Sequence, residues 1–124
     1  MRAALAALLG LGLAWPATAQ DADAARGQRV FNQQCRACHT VNAGGASPVG
    51  PNLHGLIGRK AGTVDGFAYS DAMKASGLTW DEATLADYLR DPKAKVPGTK
   101  MVFAGLKQAP QIADLVAYLK QAMP

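Results

Sequence analysis

Cys35-Arg36-Ala37-Cys38-His39 is the stretch on which the reading of the whole chain turns. It holds the only two cysteines among 124 residues, with an imidazole directly after the second. A disulfide between them would close too small a loop to staple a fold, because cross-link stabilisation grows with the length of chain enclosed. Three other chemistries use a C-x-x-C: a thioredoxin-like redox pair, half of a zinc site, and covalent attachment of haem. Structural zinc wants four Cys or His ligands. The chain offers only Cys35, Cys38, His39 and the distant His54, with Cys38 and His39 adjacent and poorly placed for one tetrahedron. A thioredoxin-like pair sits within a βαβ pattern, yet no strand-like alternation precedes Cys35. C-x-x-C-H is itself the haem signature: both thiols add to the vinyl groups, and the next residue presents an imidazole to the iron. The motif therefore predicts haem c, with Cys35 and Cys38 as attachment points and His39 as one iron ligand.

Upstream, Arg2, an apolar run over residues 3–14 and Ala17-Thr18-Ala19 have the layout of a secretory signal ending in an A-x-A cleavage site. The apolar run is too short for a membrane span, which needs about 20 residues, and Trp15-Pro16 interrupts it. The expectation is a leader over residues 1–19, cleaved on export to the periplasm, and one domain over residues 20–124. An oxidising compartment makes two unpaired thiols more telling, since thiols there normally pair. At 18% charged and 49% hydrophobic, the chain lacks the signature of disorder. Its formal charge of +4 falls by one when Arg2 is removed, which is too little for a phosphate footprint, and no basic helix is visible.

The rest of the pattern reads as all-α, about four to five helices joined by long loops. Asp23 is placed to cap a helix running to about Cys35, with Val30, Phe31 and Gln34 at helical spacing. Gly27 lies inside that helix, where glycine costs roughly 1 kcal/mol relative to alanine, so close approach of another backbone is one explanation. Ser70 caps a short helix ending near Gly77. Thr79-Trp80-Asp81-Glu82 reads as a capping box with Thr79 at the N-cap, opening a helix that carries Leu85, Tyr88 and Leu89 and ends before Pro92. Pro110 suits the first turn of a last helix with Ile112, Leu115, Val116 and Leu119 on one face. Residues 40–69 contain seven glycines and two prolines and form no obvious element. Loops this long are uncommon unless functional. This one carries Leu53, Leu56, Ile57, Val64, Phe67 and Tyr69, so it is expected to be ordered around something, with glycines letting the backbone approach closely.

A second iron ligand is expected as well, because an open face would mean gas binding or catalysis. His54, Met73, Met101 and Met123 are the candidates. Met123 is next to a terminus, Met73 falls on a short helix where packing is the common use of methionine, and His54 reads as a loop histidine. Met101 lies in a loop stiffened by Pro97 and bent by Gly98, but loop methionines are often filler. Spacing alone leaves the choice open.

Taken together, C-R-A-C-H-T, G-P-N-L-H-G-L-I-G-R-K over residues 50–60, G-F-A-Y-S-D-A over 66–72 and P-G-T-K-M-V-F-A-G over 97–105 resemble class I cytochrome c. The likeness is closest to the mitochondrial type and bacterial cytochrome c2. The resemblance implies one covalent haem with His39 and Met101 as axial ligands. It implies that the Pro51 carbonyl accepts from His39, and that Arg59, Tyr69, Trp80 and Thr99 meet the haem propionates. Tyr88 matches a tyrosine near the methionine ligand and Phe103 the aromatic beside the exposed haem edge. Gly27 and Phe31 match a helix contact with Leu115 and Tyr118. Two residues depart from the family pattern: Met73 stands where many relatives have asparagine, and Gln34 where lysine is common.

The function so implied is that of a soluble, monomeric electron carrier, not an enzyme and not membrane-integral. It would shuttle single electrons between a bc1-type donor and a terminal oxidase or photosynthetic reaction centre. Lys93, Lys95, Lys100 and Lys107 fall in a stretch without a single acid. They are either a solvated loop or a surface steering acidic docking faces of those complexes, and their place around the methionine segment favours steering. A peroxidase or gas sensor would instead need an accessible iron position, and a thiol oxidoreductase would need free Cys35 and Cys38.

Overall fold

Asp23 opens the first helix, α1 (Ala24–Gln34), by accepting a hydrogen bond from the Arg26 amide at 2.9 Å. This satisfies one of the orphan N–H groups at the helix start. The Asp23 amide in turn donates to Asp114 Oδ1 at 2.8 Å, and Arg26 Nε donates to Asp114 Oδ2 at 3.0 Å. Asp114 is buried, and the Arg26 hydrogen bond, the Asp23 amide and the guanidinium charge hold its carboxyl below the usual carboxylate range. The cap of α1 is thereby tied to the last helix, α5 (Ala109–Ala122).

This computed structural model describes residues 21–122 together with Gly10 and Gly12. The rest of the expected leader, and Met123, lie outside the described residues. Between α1 and α5 come α2 (Asp71–Ala75), α3 (Glu82–Arg90) and α4 (Pro92–Lys95). Among the described residues the only sheet-like pairing is one antiparallel bridge between Lys60 and Thr79, so the all-α expectation holds. The stripe on α5 is realised: Ile112, Leu115, Val116 and Leu119 are all buried.

The crossing of α1 and α5 explains Gly27. A Cβ there would overlap the backbone carbonyl of Asp114 and lie 2.9 Å from Tyr118 Cβ. One turn on, the Phe31 and Tyr118 rings pack at 5.5 Å between centroids. Side chains from α1, α3 and α5, among them Phe31, Leu85, Leu89, Leu115 and Leu119, form one buried cluster.

One reading of the chain is corrected, and one helix is added to it. The N-cap of α3 is Asp81, whose carboxylate accepts from the Thr84 amide at 2.7 Å, and not Thr79. Thr79 is extended, paired with Lys60, while neighbouring Trp80 exchanges backbone bonds with Gly58 and Arg59. Pairing with a distant stretch of the same chain outcompetes a local cap there. The added helix is α4, which no periodicity announced. Asp91 ends α3 and also caps α4, accepting from the Ala94 amide at 3.2 Å, with Pro92 at the first helical position. An Asp-Pro pair is a start signal in its own right, but four residues leave no stripe to read.

Candidate functional site

The Cys-x-x-Cys-His run leaves α1 as a tight turn. The Arg36 amide bonds the Phe31 carbonyl at 2.9 Å, and the Cys38 and His39 amides bond the Cys35 carbonyl at 3.0 Å. Cys35, Cys38 and His39 are thereby wound toward one side and line a single large cavity. Both cysteines are free thiols. Burial, with neighbouring Cys38 adding to it, pushes the Cys35 thiol up to about 11. Reactive thiolates need an electropositive setting that lowers the thiol pKa, and burial shifts Cys35 the other way.

His39 is held from behind. Its Nδ1 lies 2.8 Å from the Pro51 carbonyl, which can only accept, so Nδ1 carries the proton and Nε2 keeps its lone pair. Burial lowers the pKa of the ring, against the Pro51 bond that raises it, which favours the neutral, metal-binding form. Gly50 completes the cradle: its amide bonds the Cys38 carbonyl at 2.8 Å, and a Cβ at this position would overlap the imidazole. The reading from sequence did not single out Gly50; its place directly before Pro51 was the available signal.

Met101 reaches the same cavity from the loop after α4. The Tyr88 hydroxyl, on the last turn of α3, shares a hydrogen bond with Thr99 Oγ1 at 2.9 Å and approaches the Met101 sulfur at 4.0 Å. The Met101 amide bonds Thr99 Oγ1 at 3.4 Å. Burial raises the Tyr88 pKa, keeping the phenol protonated and able to donate.

The remaining expected residues, Pro51, Arg59, Tyr69, Trp80 and Phe103, line the cavity as well. Arg59 gives Nη1 to the His54 carbonyl at 3.0 Å and Nη2 to the Asn52 carbonyl at 3.3 Å, leaving other donors of its five for a ligand. Tyr69 accepts from the Val64 amide at 3.0 Å, and Trp80 packs on Tyr88 at 5.0 Å between ring centroids. Met73 is buried in the wall, where a thioether supplies no hydrogen-bond donor and only a weak acceptor. His54 does not line the cavity; its Nδ1 lies 3.1 Å from the Val41 carbonyl.

The walls are mostly apolar, with Arg59 and Lys100 among the lining residues and neither Asp nor Glu. A large planar apolar group carrying carboxylates fits such a lining, because buried carboxylates need paired donors. No group of three or more His, Cys, Asp or Glu able to hold a metal by themselves occurs among the described residues. The donors present, two thiols, one neutral imidazole and a thioether, fit a covalently attached haem rather than a bare ion.

The four lysines do not share one environment. Lys93 and Lys100 edge a groove with Val102 and Phe103 beside the cavity. Lys95 pairs with Asp87 at 3.6 Å, and Lys107 Nζ donates to the Arg90 and Ala104 carbonyls at 3.0 and 3.1 Å. Val102 is fully exposed, and Val49, also at the cavity, is 66% exposed.

Comparison with known proteins agrees with this chemistry. The Cytochrome c family profile matches residues 24–123. Cytochrome c2 of Blastochloris viridis is 57% identical over 106 residues, covering 86% of this chain and 81% of that protein. Cytochrome c2 of Rhodomicrobium vannielii is 52% identical over 120 residues, covering 96% and 95%. Among solved structures, cytochrome cH from Methylobacterium extorquens superimposes with a TM-score of 0.73 at 53% identity, over 80% of this chain and 98% of that one.

Proposed function

Since this chain belongs to the cytochrome c family, whose members are electron carriers with one covalently attached haem c, we propose that His39 and Met101 are its axial iron ligands and that it shuttles electrons in the periplasm. The observation that carries this reading is one cavity lined by Cys35, Cys38, His39 and Met101. The haem supplies a one-electron Fe(II)/Fe(III) couple. Cys35 and Cys38 would hold it by thioether bonds, His39 would bind through Nε2, and Tyr88 with Thr99 would keep the Met101 sulfur in place. Arg59, Tyr69, Trp80 and Thr99 would meet the propionates. With His39 and Met101 both holding the iron, substrate would have no way to the metal and the remaining chemistry would be outer-sphere electron transfer. A thioether ligand from Met101 and the mostly apolar lining would favour the ferrous state and raise the potential.

The partners proposed are a bc1-type donor and a terminal oxidase or photosynthetic reaction centre, met through acidic docking faces. No helix among the described residues is long and apolar enough to cross a membrane. Rapid turnover calls for a small, charged, wet contact. Lys93 and Lys100, around exposed Val102, make its centre, with Lys95 and Lys107 at its margin. Lys93→Glu and Lys100→Glu are each expected to slow association with an acidic redox partner by about three- to tenfold at low ionic strength and to flatten its salt dependence. Stopped-flow rates across a salt series check this, and rates unchanged by both reversals would remove the docking assignment.

A further inference from the structure

The segment bearing Met101 is fastened at both ends to the last three residues of α3. At its start, Thr99 Oγ1 bonds the Tyr88 hydroxyl at 2.9 Å. At its end, the Leu106 amide donates to the Leu89 carbonyl at 2.8 Å, and Lys107 Nζ donates to the Arg90 carbonyl at 3.0 Å. The last carbonyls of a helix have no partner within it, and a lysine there satisfies them and meets the negative end of the helix dipole. Lys107 Nζ also holds the Ala104 carbonyl at 3.1 Å, three residues beyond Met101, so one ammonium closes the end of α3 onto the methionine segment. Gly105 makes the approach possible. It has φ +104°, and a Cβ there would overlap the Arg90 carbonyl oxygen.

We propose that Lys107 is a positioning residue for the Met101 segment, clamping Ala104 to the C-terminal end of α3, beyond its place at the margin of the docking surface. The inference rests on the reading of Met101 as an iron ligand. It separates Lys107 from Lys100, which lies at the cavity mouth in the same loop and makes no hydrogen bond or ion pair among the described residues. Equal losses of charge at the two positions then have different consequences. Loss at Lys100 leaves the segment fastened, whereas loss at Lys107 frees the end that follows Met101 and leaves the Arg90 carbonyl without its donor.

The test uses the haem-loaded protein and the near-infrared sulfur-to-iron charge-transfer band, followed through a urea titration beside the far-ultraviolet helix signal. In Lys107→Met the band is expected to disappear at about 0.5 M less urea than in the unaltered protein, the shift set by one net hydrogen bond and the denaturant slope of a small domain. The helix signal should move less than the band. Lys107→Arg should restore the midpoint, Lys100→Met should leave it in place, and Gly105→Ala should shift it in the direction of Lys107→Met. Band and helix signals moving together in Lys107→Met, or equal shifts in Lys100→Met and Lys107→Met, would overturn the clamp while leaving Met101 ligation intact. An unaltered protein with haem but no such band would instead overturn the ligation reading, and the clamp with it.

Discussion

Met101→Ala is expected to abolish the sulfur-to-iron band, let carbon monoxide bind the ferrous haem, and lower the reduction potential by a few tenths of a volt, within the roughly 0.8 V that axial ligation spans. The reason is local. Met101 is the sulfur that Tyr88 and Thr99 hold at the cavity, and a methyl group in its place offers the iron no donor. The other thioether in the lining, Met73, lies buried on α2 and takes part in the core. Since methionine ligation raises the potential, its loss must lower it. Redox titration with a carbon monoxide difference spectrum reads both effects. An unchanged potential with no carbon monoxide binding would mean that another side chain occupies the sixth position.

Gly27→Ala is the second large effect, and its sign is decided by two opposing terms. In an isolated helix alanine would stabilise by about 1 kcal/mol over glycine. Here the new methyl would overlap the Asp114 backbone carbonyl and crowd Tyr118. Backbone on a packed helix yields little, and such overpacking costs about 1–3 kcal/mol or more. Because the clash sets backbone against a new Cβ, its cost belongs at or above the top of that range, for a net loss of about 2 kcal/mol and a fall in Tm of about 10 °C for a domain of this size. The Asp23–Arg26–Asp114 clamp at the same crossing adds strain to any separation of the helices. Thermal unfolding of the haem-loaded protein, followed by circular dichroism, measures it. A Tm at or above that of the unaltered chain would mean that α1 and α5 cross with more room than described.

What the sequence made legible was what short patterns encode. Cys35, Cys38 and His39 named the cofactor because their spacing is the chemistry, and the misfit of Gly27 in a helix pointed to a close backbone that turned out to be α5. The face of α5 showed because fourteen residues give room for a period of 3.6. The remainder lay in partnerships between distant residues. Thr79 has every local feature of a cap, yet its pairing with Lys60 keeps it extended and passes the cap to Asp81. The lysines look alike in a run without acids, and only the fold brings Asp87 to Lys95 and the end of α3 to Lys107. Gly50 is one of seven glycines in the loop over residues 40–69, and its place before Pro51 gains its meaning only when the His39 ring is seen against it.

The most direct test of the central assignment is an optical spectrum of the protein expressed with haem-maturation machinery, oxidised and reduced, extended into the near infrared. The expected result is a covalently held low-spin haem with the sulfur-to-iron band in the oxidised form, the signature of His39 and Met101 ligation. A high-spin spectrum or a haem without that band would contradict it and move the protein toward ligand binding or peroxidase chemistry. No haem after expression with intact maturation machinery would return Cys35 and Cys38 to thiol chemistry.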